Sequence, residues 1–476
     1  MSSDPSSVSG DLGGPSRIKT TTIIYLVAVV VALVLAFTGT STKEGIFVLG
    51  KIPFAFVLFV LVLLGVAFFQ DYTLWVALAG AFVITTYTGI LSPGFLWSSE
   101  QIKHRGGGLW GHALHEGEVT LLNLGGLLLG FALLAKFFEH SGVPDNLPRL
   151  LPKSKLWASF VLLAIVWFIS SFLDNIAAAM IGGVMARSAF RGRVSVGYVA
   201  AIVAASNAGG AWSVVGDTTT TMMWISGIAP IDVAHGFIAS VVALFVCGLL
   251  AASHQNRIQE IDLDRSAGRK PIDWLQVMIV FLILGFAIVA NMMFNGSWAG
   301  FFAGGPWYGV WAAILLGALL RRPAWEELPG AAKGAVFLLS LVWCASLMPV
   351  HALPEASWQT AFGLGFVSAV FDNIPLTKLA IEQGGYDWGM LAYSVGFGGS
   401  MIWFGSSAGV AITKDFPEAR NTGRYIKEGW PVAVAYVIGF FAMLWTLGWQ
   451  PHDSKPHAAT PADGSAPAVP APVGPK

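Results

Sequence analysis

Apolar stretches of membrane-spanning length recur from Ile23 to Leu447 with only short polar breaks between them. Each is near the roughly 20 residues a helix needs to cross a bilayer. The pattern predicts spans at about 23–37, 52–69, 73–91, 119–138, 232–252, 273–292, 307–320, 331–351 and 429–448. Four further segments are less regular. Two, 156–186 and 356–383, are interrupted midway by an Asp-Asn pair; two, 195–228 and 387–413, carry Gly-rich interruptions and read as broken crossing helices. The expected fold is an all-α polytopic membrane protein with about eleven transmembrane helices plus two re-entrant hairpins.

Charge placement gives this pattern an orientation. Arg149, Lys153 and Lys155 precede segment 156–186 and Arg187, Arg191 and Arg193 follow it, so both flanks are expected on the cytoplasmic side. The segment then enters and leaves from that side with Asp174-Asn175 at its tip. Irregular backbone at such depth is tolerated only inside protein or beside a watery cavity. Counting crossings puts Arg17, Lys19, Arg257, Arg265, Arg269, Lys270, Arg321, Arg322, Arg420, Arg424 and Lys427 inside, while Lys43, Lys51 and the Lys103 to Arg105 loop fall outside against the trend. The N-terminus is expected in the cytoplasm and the C-terminus in the periplasm, with an uncleaved first helix. The domains expected are a disordered segment 1–22, a first helix and loop 23–51, a first repeat 52–255, a cytoplasmic linker 256–272, a second repeat 273–449 and a disordered Pro- and Ala-rich tail 450–476.

Composition sharpens the class. Of 476 residues 55% are hydrophobic and only 11% charged, against roughly a quarter charged in a soluble protein. An ordinary cytosolic enzyme is excluded. The 27 basic and 27 acidic residues cancel, leaving no global field to recruit nucleic acid, which is not an expected partner. Cys247 and Cys344, both in apolar stretches, can build neither a disulfide framework nor a thiolate cluster. No cofactor is expected, and no phosphate-loop or H-E-x-x-H motif occurs.

The interrupted segments repeat. Ser170 to Ile176 and Ser368 to Ile374 share the spelling S-x-x-x-D-N-I; Gly209-Gly210 is followed by Gly216, and Gly398-Gly399 by Gly405, at the same spacing. Five crossings separate the two hairpins, an odd number, so the second copy is expected to be inverted. Inverted repeats with broken helices and a midplane site are the construction of many secondary transporters. An Asp-Asn pair also caps helices, but two copies at membrane depth argue for more, because a buried acid there is costly.

Candidate chemistry concentrates on these breaks. At Asp174 and Asp372 a proton and a metal cation would compete for one carboxylate, the minimal machinery of exchange. Asn175 and Asn373 add amide oxygens, and Ser170 and Ser368 place hydroxyls one helical turn away. The stretch Asn207 to Thr221 adds Asn207, Asp217 and the hydroxyl of Thr218, with glycines that let the helix unwind; a plain N-cap is the competing role for Asp217. In the second copy Ser406 replaces this acid. All-oxygen sites suit hard cations, so sodium is expected at Asp174, Asn175, Asp217, Asp372 and Asn373.

The run N-A-G-G-A-W-S-x-x-G-D-x-T-T-T-M-x-W-I (Asn207 to Ile225), with D-N-I-P-L (Asp372 to Leu376) and G-G-S-x-x-x-x-G-S-x-A-G-V (Gly398 to Val410), resembles the NhaD-type sodium/proton antiporters. That family belongs to the ion transporter superfamily that includes arsenite, dicarboxylate and citrate carriers, and the resemblance spans about residues 110 to 450. It implies a homodimer with a fixed scaffold and a moving transport domain holding two opposed hairpins. It also implies cation sites at Asp174, Asn175, Asn207, Asp217, Asp372 and Asn373. Family members generally carry threonines just after the first Asp-Asn, where this chain has Ile176 and Ala177 to Ala179.

The main expectation is a secondary transporter of the bacterial inner membrane exchanging sodium or lithium for protons. The alternative is a sodium- or proton-coupled carrier of citrate, a dicarboxylate or arsenite, which two carboxylates at the tips would disfavour; an ion channel is a third. His112, His115, Glu116 and Glu118 are read as a pH-sensitive outer rim or an ordinary solvated loop. Lys378 is expected either to pair with an acid or to snorkel.

Overall fold

The computed structural model of the chain describes residues 15–36, 39–41, 47–49, 52–91, 107–262, 271–295 and 305–452. The first 14 residues, Lys43, Lys51, Lys103 to Arg105, Arg265, Arg269, Lys270 and the tail beyond 452 lie outside the described residues.

Helix α1 (Pro15–Ala36) takes in residues 15–22 ahead of the expected start at Ile23. Three short antiparallel strands follow, β1 (Thr40–Ser41), β2 (Phe47–Leu49) and β3 (Ile52–Pro53), a small ribbon that apolar periodicity did not announce. Then come α2 (Phe54–Phe68), α3 (Thr73–Leu91) and α4 (Gly108–Glu116), a π-helical turn (Gly117–Leu121), and α5 (Leu122–His140). The first interrupted segment is α6 (Lys155–Ser170) and α7 (Asn175–Ala189), and the first broken helix is α8 (Val196–Gly210) and α9 (Thr218–Ile225). Four long helices lie next, α10 (Phe237–Ile258), α11 (Trp274–Asn295), α12 (Trp307–Ala318) and α13 (Leu328–Ser346). The second interrupted segment is α14 (Trp358–Ser368) and α15 (Asn373–Gln383), the second broken helix α16 (Trp388–Gly398) and α17 (Ser407–Ile412). Helices α18 (Thr422–Glu428) and α19 (Trp430–Leu447) close the described fold.

Among the described residues, six helical stretches are long and apolar enough to cross a membrane, and five shorter apolar helices accompany them. Phe82, Leu319 and Trp445 stand 73, 82 and 81% exposed on the outside of the bundle, an arrangement that hydrocarbon accepts and water penalises. The chain is an α-helical, multi-pass membrane protein. Its interior axis is made by the broken helices: every residue of α8 and of α16 is buried, as expected of helices apolar on all sides. Around them pack α6, α7, α10, α14, α15 and α19, while α3, α5, α11, α12 and α13 form a second group. The two groups meet where α13 touches α15 and where α5 touches α9.

Hydrogen bonds and ion pairs fix where the interrupted segments begin and end. Lys155, opening α6, pairs with Glu260, and Arg191, just past α7, pairs with Asp262. Both ends of α6–α7 therefore sit beside the 260–262 segment that follows α10. Likewise Gln383 Nε2, closing α15, donates to Pro354 O ahead of α14 at 2.6 Å. The two mouths face different ends of α19. The Ser195 amide, opening α8, donates to Gln255 Oε1 on α10 at 2.7 Å, and the neighbouring Gly197 amide donates to Glu428 Oε2, just before α19 begins, at 3.4 Å. At the other end of α19, Gln450 N donates to Asp387 Oδ2 and His452 N to Tyr386 O, both just after α15. An 18-residue helix separates these ends by about 27 Å.

Candidate functional site

The sequence places Asp where each interrupted segment turns back, and the backbone uses it there. Asp174 and Asp372 are N-caps of α7 and α15 with closely matching dihedrals (φ −51°, ψ 139° and φ −53°, ψ 139°). Asp174 Oδ2 accepts from Ile176 N at 3.2 Å and Asp372 Oδ1 from Ile374 N at 3.0 Å. Capping and a site role are thus compatible, since each carboxylate has a second oxygen. That of Asp372 accepts from Ser407 Oγ at 3.4 Å.

Glycines bring the breaks onto these turns. A Cβ at Gly209 would lie 2.0 Å from Trp167 O, and one at Gly398 2.3 Å from Gly365 O. A Cβ at Gly216 would lie 2.3 Å from Ser170 O, and one at Gly405 2.5 Å from Ala369 O. Only a residue without a side chain permits either approach. The serines tie the same surfaces together: Ser170 Oγ donates to Ser206 O and Ser368 Oγ to Val395 O, each at 2.6 Å. Both hydroxyl protons, expected at the cation site, are committed to the backbone of the broken helix three residues before its Gly-Gly pair.

Asp217 is the hub of the first copy. It is 3% exposed, stands at the N-cap position of α9, and makes no side-chain capping bond. Its Oδ1 instead accepts from Asn175 Nδ2 at 2.9 Å, and its Oδ2 accepts from Thr219 Oγ1. Asn175 Nδ2 also donates to Asn207 Oδ1 at 3.1 Å, and Asn207 Nδ2 donates to Ser400 Oγ at 2.9 Å. One hydrogen-bonded chain therefore links α7, α8 and α9 to the second broken helix. Thr218, half-buried, opens α9 beside this hub, while Thr219 makes the bond to the carboxylate.

The second copy is built differently. Ser406 caps α17, accepting from Gly409 N at 3.3 Å, and Gly396 stands where the first copy has Asn207. Asn373, 3% exposed, leaves its Nδ2 without a hydrogen-bond partner among the described residues. Asp217 lies within electrostatic range of both Asp174 and Asp372. Three carboxylates thus converge at helix breaks, and among the described residues no basic side chain forms an ion pair with any of them. An interior carboxylate without a basic partner calls for a proton or a cation. The surrounding donors are carboxylate, amide, hydroxyl and carbonyl oxygens, suited to a hard cation. Among the described residues no group of three or more His, Cys, Asp or Glu side chains is close enough to hold one metal ion by itself, so amide, hydroxyl and carbonyl oxygens would have to complete any cation shell.

Ser400, Thr219 and Ser407 join this site although the sequence reading did not name them as ligands. All three lie inside the motifs already singled out, so proximity to Gly399, Asp217 and Ser406 was the available signal. The expected outer rim is different in kind. His112 and Glu116 are each 4% exposed, His112 Nε2 meeting Ser346 Oγ at 2.9 Å and Glu116 pairing with Lys378, because an interior lysine draws the acid inward. The side chain of Glu118 lies outside the described residues.

No protein-family model matches the chain. It is 30% identical over 331 residues to "Sodium/proton antiporter 1" of Arabidopsis thaliana, covering 60% of this chain and 55% of that protein. It is 28% identical over 340 residues to "Sodium/proton antiporter 2" of the same plant, covering 60% of this chain and 76% of that one. To "Na(+)/H(+) antiporter NhaD" of Alkalimonas amylolytica it is 25% identical over 337 residues, 59% of this chain and 67% of the relative. The chain thus spans little more than half the length of the first of these and about two thirds to three quarters of the others. By its motifs and over these partial lengths the chain is similar to proteins named as sodium/proton antiporters.

Proposed function

We propose that the protein is a secondary transporter exchanging sodium, and lithium by the same chemistry, for protons. The observation that carries this reading is the convergence of Asp174, Asp217 and Asp372 at helix breaks with no basic partner among the described residues. Charge neutrality in a poorly hydrated interior asks each carboxylate to hold either a proton or a cation, and that competition links the two fluxes. Asp217 is the primary exchanging group, Asn175 and Asn207 orient it and supply amide oxygens, and Asp174 completes the first half-site. Asp372, Asn373 and Ser406 form a weaker second half-site, because a hydroxyl stands where the first copy has an acid. Thr218 and the backbone-bonded Ser170 and Ser368 support the shell.

The matching glycine and serine contacts of the two copies, and the mouths of α6–α7 and α14–α15 at opposite ends of α19, support an inverted-topology repeat of two re-entrant hairpins. In this arrangement alternating access is a movement of the α6–α9 and α14–α17 unit against α3, α5, α11, α12 and α13. A homodimer in a bacterial inner membrane, N-terminus cytoplasmic and C-terminus periplasmic, completes the proposal. In inverted vesicles holding a proton gradient, wild-type protein should give sodium-dependent dequenching of a ΔpH dye, and Asp217→Asn and Asp174→Asn should abolish it. Full activity in both variants would overturn the assignment.

A further inference from the structure

A second group of charges lies apart from the three aspartates. Lys378 on α15 is 3% exposed, and its Nζ lies 2.9 Å from Glu116 Oε2, 2.6 Å from Glu382 Oε1 and 3.4 Å from Thr120 Oγ1. Glu382 is one turn along the same helix, and its side chain is 37% exposed. Glu116 is different: it ends α4, its side chain is 5% exposed, and the π-helical turn that begins at the next residue carries Thr120. His112 and His115 flank Glu116, and His112 is bonded to Ser346 of α13. Three oxygen acceptors, from α4, the π-helical turn and α15, therefore surround one ammonium.

A buried ammonium is tolerated only when paired and hydrogen-bonded, and removing one member of such a pair leaves the other as an uncompensated interior charge. Lys378 belongs to the helix whose N-terminus is Asp372-Asn373, but it lies six residues from Asp372, about 9 Å of helical rise. Glu116 and Thr120 belong to the α4–α5 connection. The pair thus crosses from the helix that presents the second Asp-Asn to a part of the chain outside the two interrupted segments and broken helices.

We propose that Lys378 is a tethered internal cation: its ammonium fills a three-oxygen cradle made by Glu116, Thr120 and Glu382 and holds the Asp372-bearing helix against the α4–α5 connection, whether or not a transported cation is bound. It is a positioning residue, acting through α15 and not by contact with the transported ion. The cradle has the oxygen composition of a cation site, but its occupant cannot leave. The exchange arm below rests on the proposed sodium/proton exchange; the stability arms do not.

The test uses the purified full-length chain in detergent and compares thermal unfolding of wild type, Lys378→Met, Glu116→Gln, Glu382→Gln and the double variant K378M/E116Q. Lys378→Met should lower the midpoint most, because it strands Glu116. Glu116→Gln should cost less, because Glu382 still pairs with the ammonium, and Glu382→Gln least. The double variant should regain most of what Lys378→Met loses; additive losses, or an unchanged Lys378→Met, would overturn the cradle. Should Lys378→Met fail to fold, Lys378→Ala prepared in propylammonium supplies the same test. The amine should raise its midpoint and leave wild type unmoved, and an equal response of the two would overturn the cradle. In sodium/proton exchange the double variant should lose maximal rate severalfold at an unchanged half-maximal sodium concentration. A shifted half-maximal concentration, or a wild-type rate, would overturn the positioning role. A wild-type chain without any exchange would overturn the exchange reading and leave the stability result standing.

Discussion

At Asp217 one interior carboxylate is held by side chains from two elements, Asn175 of α7 and Thr219 of α9. A hydrogen bond to a charged group contributes about 1.5–3 kcal/mol, so Asn175→Ala should raise the half-maximal sodium concentration roughly tenfold or more. Proton-gradient-driven exchange measured against sodium concentration checks this; an unchanged value would remove Asn175 from the site. The sequence made Asp174, Asn175, Asn207 and Asp217 legible because polar residues in an 11% charged chain stand out and recur at repeated spacings. It did not make their partners legible. The bond from Asn207 to Ser400 joins residues far apart in the chain, and nothing local in either stretch encodes it. The hydroxyls of Ser170 and Ser368 were the reverse case: their spacing from Asp174 and Asp372 pointed at the ion, whereas backbone carbonyls of the adjoining broken helix accept from them.

The elements that carry the site depend on close backbone approach. Gly216→Ala and Gly405→Ala would each drive a methyl group into a carbonyl, at 2.3 and 2.5 Å, and the cost of overpacking is of order 1–3 kcal/mol or more. Both should lower the thermal unfolding midpoint of the purified protein. Gly334→Ala in α13 meets nothing within 4 Å and should be neutral or slightly stabilising, since alanine is the better helix former. Equal stability of all three variants would contradict the packing described. Long uniform runs such as 73–91 were readable to the residue, because apolar length alone specifies them. The π-helical turn at Gly117–Leu121 and the strands β1, β2 and β3 were not, because tertiary contacts decide them. Among those contacts, the pairing of Glu116 with Lys378 also turned an expected surface cluster into an interior one.

Across the whole molecule, the arrangement of α6–α7 and α14–α15 makes a statement about sidedness. A single cysteine replacing Arg193 should react with a membrane-impermeant thiol reagent only from the cytoplasmic side, and one replacing Gly384 only from the outside. Cys247 and Cys344 are buried and would leave the background low. Labelling of both positions from one side would contradict the inverted repeat. The central claim is exchange through unpaired aspartates, and radioactive sodium uptake into proteoliposomes driven by an outward proton gradient tests it most directly. Wild-type protein should accumulate sodium, competed by lithium and indifferent to citrate or arsenite, and Asp217→Asn should not. Uptake by Asp217→Asn at the wild-type rate, or by wild type without any dependence on the proton gradient, would contradict the account.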